Sequence, residues 1–313
     1  MASYHLSAKI LGRSDGRSVV AAAAYRSGSK IERAETGDIQ DYRRKSGVIS
    51  ADLLTPDYVP DWARDRSQLW NSVEGIETRK NSQLAREFEL ALPNELSASQ
   101  ARALVIGWAR RELVSRGMVA DVCVHDPEPV PGKGRNRHAH VLCTVRRFDG
   151  EGWARTKERT WNDKALLEHW RESWAEAQNS ALQAAGCADR VDHRSLADQR
   201  QVALDAGDLV AAEALDRPPE PRLGVAASAI EDRARREADR LGEEYQPVTP
   251  RGRALQEART LRSVLLSAVE TVRATALRVL DLFQAVSAPV EDPFSAPPQE
   301  PPEEAYDGLP GFG

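Results

Sequence analysis

Apolar positions recur along the chain with two periods, and the switches between them set out the elements. Over Tyr4–Leu11, Tyr4, Leu6, Ala8 and Ile10 alternate with His5, Ser7 and Lys9, which predicts a half-buried strand. Gly12–Gly16 is a turn, and Ser18 then opens SVVAAAAYRSGSKI. A serine N-cap, an alanine run and Gly28 at the end predict a helix with Tyr25 near its C-terminus. Asp61–Glu77 has Trp62, Leu69, Trp70 and Val73 at helical spacing. Ser82–Leu92 is ambiguous, with a more strand-like second half; if extended, it puts Glu87 and Glu89 on one face and Phe88 and Leu90 on the other. Asn94–Arg116 is a helix that starts in a cluster of Ser97, Ser99 and Gln100. Val119–His125 and His138–Val145 alternate β-branched residues and read as strands. Between them, Asp126–Arg137 holds three prolines and two glycines and reads as a loop. Asp163–Ala185 is amphipathic, with Leu166, Leu167, Trp170, Trp174, Ala177 and Leu182 as a core stripe.

The pattern changes after residue 200. Residues 201–222 are alanine-rich and then proline-rich, an exit from the folded domain. Arg251–Val286 carries a long stripe through Leu261, Leu265, Val269, Val272, Ala276, Val279 and Phe283, which needs a partner in cis or by self-association. Ser287–Gly313 has seven prolines, six acids and no base, so disorder is expected. The expected division is a domain over 1–200, a helical extension over 201–286 and an acidic tail over 287–313.

Charge follows this division. The net charge of −5 hides 31 Lys+Arg against 28 Asp+Glu in residues 1–200, and 12 against 20 in residues 201–313. The first part can therefore face a polyanion. Cys123, Cys143 and Cys187 show no CxxC spacing, and two of them lie inside the strand pair. Reduced thiols and a cytoplasmic protein are expected. No apolar run reaches membrane-spanning length, and the N-terminus lacks a signal-peptide pattern, so no membrane insertion is expected.

Candidate chemistry centres on histidine. A lone His-x-His is a weak signal, but His125, His138 and His140 are three of only six histidines and fall within sixteen residues. His138 and His140 share a strand face, and a hairpin would bring His125 beside them. Three imidazoles leave coordination positions open, as in catalytic metal sites. Tyr25 is followed by Arg26 and Lys30, and Tyr42 precedes Arg43, Arg44 and Lys45. A basic tract with an aromatic suits a nucleic-acid backbone, though it is more often a solvated face. A metal polarising a phosphodiester and a tyrosine hydroxyl attacking it would together suit phosphoryl transfer. Spacing alone does not bring Tyr25 to the histidines.

The chain resembles the MobA/MobL family of plasmid mobilisation relaxases, within the His-hydrophobe-His single-strand endonucleases. The resemblance is carried by YHLSAKILGRS, AAAAYRSGSKI, LWNSVEGIETRKNSQLAREFELALPNELS, GMVADVCVHD, NRHAHVLCTVRRFDGEGW, HWRESWAEAQNSAL and RVDHRSLADQ, in family order over roughly residues 1–200. It implies an α+β fold, with a relaxase-type antiparallel central sheet and helices packed on one face, ahead of the helical C-terminal extension that the apolar stripe predicts. It implies Tyr25 as nucleophile and His125, His138 and His140 as ligands of a divalent ion, Mg²⁺ or Mn²⁺. Glu87 or Glu89 would orient a ligand imidazole or accept the tyrosine proton, unless both are solvated strand carboxylates. Arg26, Lys30, Arg43, Arg44 and Lys45 would contact phosphates. Two departures stand out. Arg222 occupies the place after a proline segment where similar proteins usually carry histidine, and no long helicase or primase domain follows, so strand unwinding is not expected.

The expected activity is a site- and strand-specific nick in single-stranded DNA at a transfer origin, leaving a 5′-phosphotyrosyl strand and a free 3′-OH. Relaxosome accessory proteins and the coupling protein of a type IV secretion channel would be partners. Two other classes remain open. A rolling-circle replication initiator would use the same chemistry, and some of those carry a second tyrosine one helical turn from the first, which Tyr25 lacks. A non-catalytic DNA-binding accessory protein would not need Tyr25 and three histidines intact.

Overall fold

The computed structural model describes residues 3–150 and 152–287. In chain order the elements are β1 (Leu6–Gly12), α1 (Val19–Ser27), β2 (Lys30–Glu32), β3 (Ile39–Asp41), β4 (Val48–Leu54), α2 (Arg66–Ile76), β5 (Gln83–Ala91), α3 (Ala98–Glu112), β6 (Ala120–His125), β7 (His138–Cys143), β8 (Phe148–Asp149), β9 (Gly152–Trp153), α4 (Lys164–Ala184), α5 (Leu196–Asp205), α6 (Leu209–Leu215), α7 (Val225–Leu241) and α8 (Pro250–Ser287). A five-stranded sheet runs β1-β5-β7-β6-β4. Every neighbouring pair in it is antiparallel. The ambiguous Ser82–Leu92 segment is its second strand, and β7 lies at the centre, flanked by β5 and β6.

Strand alternation gives the sheet two unlike faces. Phe88, Leu90, Val122, Val124, Ala139 and Val141 point to one side, where α3 and α4 supply Trp108, Trp170 and Trp174. Phe88 meets Trp108 and Trp170 edge-on, at centroid distances of 5.9 and 5.0 Å. Burying rings of this size dominates the stability of such a core. The other face is mixed. Ala85 on β5 and Leu142 on β7 are apolar, and α1 and α2 cover them with Val20, Ala24, Leu69, Trp70 and Val73. Further along the same face come Glu87, Glu89, His138 and His140. The expected helical layer is thus α3 and α4, and the structure adds a second layer on the opposite face. The reason is local: the apolar end of that face needs cover.

Several boundaries differ from the pattern-based expectation. Asp61–Glu77 is not one helix. A 3-10 turn at Asp61–Arg64 ends at Asp65, whose side chain accepts from the Gln68 amide and begins α2. The helix expected from Asn94 starts at Ala98, because Ser97 and Gln100 form a reciprocal capping box. The stretch 201–222, expected as an exit, contains the end of α5 and all of α6.

The chain divides into compact units at residues 259 and 260, so the boundary expected near 200 falls inside the first unit. The cause lies in α7. Asp232 pairs with Lys133 of the β6–β7 loop at 2.8 Å, and Arg235 donates to the Gly132 carbonyl at 3.3 Å. Buried Glu231 accepts from Tyr245 Oη at 2.6 Å and from the Thr249 amide at 2.7 Å, tying α7 to the start of α8. In the second unit α8 continues as the expected long helix, with Leu261, Val264, Val272 and Leu277 exposed. The expected disordered tail over 287–313 lies outside the described residues, apart from Ser287. Among the described residues the three cysteines are free, and no helix is long and apolar enough to cross a membrane.

Candidate active site

The central position of β7 assembles the histidines. His125 on β6 pairs with His138 on β7, and His140 is flanked by Cys123 and Glu89. Residues two apart share a face, so all three imidazoles converge at the polar end of the mixed face. One ligand nitrogen from each lies within 4.8 Å of the others, and the ring centroids are 5.0 to 5.3 Å apart.

Each ring is anchored through one nitrogen. His125 Nε2 donates to the Arg26 carbonyl at 2.6 Å. His138 Nδ1 donates to the Asn136 carbonyl at 2.8 Å, and His140 Nδ1 donates to Glu87 Oε1 at 2.8 Å. The second nitrogen of each ring is then a lone-pair donor, which is how metal-ligating imidazoles are held. Protonation favours the same state. Burial pulls the His125 pKa down to about 4, with the positive charge of Lys45 acting in the same direction. Burial also lowers that of His138, helped by His140 and Lys45. Three oriented imidazoles fit a divalent transition-type ion, with room for substrate oxygens.

Glu87 has no exposed side-chain surface. Burial by itself would raise its pKa, but hydrogen bonds from His140 and Arg26 and the charges of Arg26 and Lys9 hold it well below the usual carboxylate range. It is therefore ionised and committed: Arg26 Nε and Nη2 each donate to it at 2.6 Å, and Lys9 lies 3.2 Å away. Glu89 is less enclosed, with 39% of its side chain exposed and Lys9 at 3.7 Å.

Tyr25 sits in the last turn of α1, half exposed. The end of this helix is bound to the histidine cluster. The Arg26 carbonyl accepts from His125, and the Arg26 guanidinium grips Glu87, which in turn accepts from His140. Tyr42 packs edge-on against Tyr25 at 5.2 Å, and Lys45 Nζ stands 3.7 Å from the Tyr25 ring centroid.

Residues 17–233 match the MobA/MobL family. The chain belongs to the MobA/MobL family. Among its relatives is the mobilization protein MobL of Acidithiobacillus ferridurans, 35% identical over 77% of this chain and 66% of that protein. Another is the conjugal transfer protein TraA of Agrobacterium fabrum (strain C58 / ATCC 33970), 33% identical over 77% of this chain and 23% of that protein. The chain thus spans less than two thirds of the length of these relatives. A structure solved in work on the molecular basis of vancomycin resistance transfer in Staphylococcus aureus aligns with a TM-score of 0.57 and 33% identity, covering 62% of this chain and 100% of that one.

The basic residues of this MobA/MobL protein are not equivalent. Lys30 and Arg44 are exposed, and exposed Arg43 pairs with Asp41 at 2.7 Å. Arg26 is enclosed, with 13% of its side chain exposed and Nη1 donating to the Ala22 carbonyl. Its pattern of partners is that of an organising residue rather than a free phosphate contact. Lys9, which reaches both Glu87 and Glu89, was not singled out from sequence. The signal available in the sequence is its place on the polar face of β1; its register opposite Glu87 is a feature of the tertiary structure.

Proposed function

We propose that this protein is a relaxase that nicks one strand of plasmid DNA at a transfer origin, using Tyr25 as nucleophile. The observation that carries the reading is the bond between the two halves of the site: the helix end that presents Tyr25 is hydrogen-bonded through Arg26 to a ring of the three-histidine cluster.

His125, His138 and His140 would hold a divalent ion through their unanchored nitrogens; of the two ions expected, Mn²⁺ suits three imidazoles better than Mg²⁺. Such an ion polarises the scissile phosphate and balances charge on its non-bridging oxygens. The Tyr25 hydroxyl attacks phosphorus, forming a P–O bond to the phenol and breaking the bond to the 3′ oxygen. The phenol proton is released, and the 3′ oxygen takes one up as a free hydroxyl. The 5′-phosphotyrosyl link conserves the phosphodiester, so the reverse attack rejoins the strand without ATP. Glu87 acts by orienting His140 and Arg26, because each of its oxygens already accepts. Glu89 is the more accessible carboxylate for the phenol proton. Lys30, Arg43 and Arg44 face solvent and suit the backbone of single-stranded DNA. Relaxosome accessory proteins and a secretion coupling protein would take part in transferring the covalent adduct.

The test is a denaturing gel of the protein incubated with single-stranded origin DNA and Mn²⁺. A slow-migrating protein–DNA band that disappears in Tyr25→Phe supports the reading. An undiminished band in that variant moves the chemistry elsewhere, with Tyr42 the first candidate.

A further inference from the structure

The last turn of a helix leaves carbonyl oxygens without intrahelical donors. In α1 these include the carbonyls of Tyr25 and Arg26. His125 fills the second, and Lys45 fills the first: Lys45 Nζ donates to the Tyr25 carbonyl at 3.0 Å. A cation at this end of a helix also complements its dipole. The same ammonium stands 3.7 Å from the Tyr25 ring centroid, within cation–π range. Lys45 therefore touches Tyr25 at both the backbone and the ring.

The turn that carries Lys45 is itself fixed to the segment that follows α1. The Lys45 amide donates to the Tyr42 carbonyl at 2.9 Å, closing a four-residue turn, and the Tyr42 amide donates to the Ser29 carbonyl at 3.0 Å. The two ends of this turn, Tyr42 and Lys45, meet the Tyr25 ring, Tyr42 edge-on at an interplanar angle of 89°. An aromatic side chain that is half exposed would otherwise sample several rotamers.

We infer that Lys45 is a positioning residue for the Tyr25 nucleophile, holding its ring against Tyr42 so that the hydroxyl meets the phosphate in one orientation. The inference rests on Tyr25 being the nucleophile, as proposed above. It assigns Lys45 a role different from that of the solvent-facing Lys30 and Arg44. A lysine that only contacts phosphate strengthens DNA binding and its salt dependence. A lysine that orients the nucleophile acts on the rate once DNA is bound, where a displacement of about 1 Å costs on the order of a hundredfold.

Two measurements on the full chain test this. In the first, Lys45→Met and Lys45→Arg are compared with the unaltered protein in single-turnover cleavage of origin DNA. With saturating DNA, Lys45→Met is expected to slow adduct formation by between about tenfold and about a hundredfold, with a much smaller change in Kd. Lys45→Arg, which keeps the cation, is expected to recover most of the rate. A Lys45→Met defect confined to Kd, or none at all, overturns the inference. In the second, 3-fluorotyrosine is placed at position 25 and its ¹⁹F resonance is recorded without DNA. A resonance that moves toward that of an exposed tyrosine in Lys45→Met and returns in Lys45→Arg supports the clamp. An identical resonance in all three proteins overturns it, whatever the cleavage assay shows. If the unaltered protein forms no adduct but the resonance shifts as expected, the nicking reading falls and the contact between Lys45 and Tyr25 stands.

Discussion

The carbonyl oxygen of Arg26 accepts a 2.6 Å hydrogen bond from His125 Nε2. One residue past the tyrosine, the helix backbone therefore sets the tautomer and tilt of a ring in the histidine cluster. On the proposed reading, metal ligation and nucleophile placement would be two ends of one connection, through a residue whose side chain also pairs with Glu87. Substitutions on either side are expected to be felt on the other.

Tyr25→Phe removes one hydroxyl from a half-exposed ring. The packing against Tyr42 is kept, so stability is expected to change by no more than about 0.5 kcal/mol. The covalent adduct should be lost. Thermal unfolding and a denaturing gel, run on the same preparation, separate the two effects.

His138→Ala and His140→Ala each remove one of three nitrogens. Calorimetric titration with Mn²⁺ is expected to show binding reduced to the detection limit in both, and cleavage of origin DNA should be lost. Full cleavage by both variants would remove the histidines from the site. Glu87→Gln leaves all three ligands in place but takes the charge from beside His140, Arg26 and Lys9. It is expected to weaken Mn²⁺ binding by about tenfold to about a hundredfold. It should also destabilise the fold by about 3 kcal/mol, because the enclosed Arg26 loses its counter-charge.

pH should act on the metal-free protein in a set direction. The His125 pKa is about 4 in the folded state, against 6.5 for an ordinary imidazole. Between those values the unfolded chain binds a proton that the folded site refuses. The stability is therefore complete above 6.5 and is lost as pH falls toward about 4. Lowered His138 works in the same direction, and ionised Glu87 adds a further loss at still lower pH. Urea midpoints of chelator-treated protein are expected to drop as pH is taken from about 7.5 to about 5, with a shallower slope in His125→Asn. Equal slopes would assign the effect to other groups.

Gly47 has φ +79°, and a Cβ there would lie 3.0 Å from Pro127 Cα and 3.2 Å from the Asp126 carbonyl oxygen. Gly47 also receives the Asp126 amide at 2.7 Å, directly after His125. Gly47→Ala is expected to cost about 1–3 kcal/mol and to displace the start of the loop that leads to His138. Weaker Mn²⁺ binding with an unaltered helix signal would be the readout.

The catalytic unit is expected to need α7. A fragment of residues 1–259 should bind Mn²⁺ and cleave like the full chain. A fragment of residues 1–200 lacks the Asp232 partner of Lys133 and the Arg235 contact to Gly132. Its β6–β7 loop should be more readily proteolysed and its cleavage slower. Equal activity of the two fragments would return the boundary to residue 200.

Much of this protein was legible in one dimension because its signals are periodic. Alternation in β1, β6 and β7 placed His138 and His140 on one face, and the serine cap and Gly28 bounded the helix that bears Tyr25. The capping residues before α3 were visible, although the helix began four residues later than its apolar pattern. Other features depend on residues far apart in sequence. The strand order, with β7 between β5 and β6, was needed to put Glu87 under His140, since neither spacing nor composition fixes which strands are neighbours. The fate of charged residues was equally hidden. Arg26 and Arg44 look alike in a basic sequence, but only the packing of α1 on the sheet brings the buried carboxylate of Glu87 to Arg26, while Arg44 stays in solvent. Charge–charge contacts carry no sequence period. The same holds for Lys45, twenty residues from the tyrosine whose ring it covers. The sequence by itself determined which side chains could do the chemistry, because strand and helix periods are local. The tertiary structure alone decided which of them meet, because that depends on the packing of faces that each period merely creates.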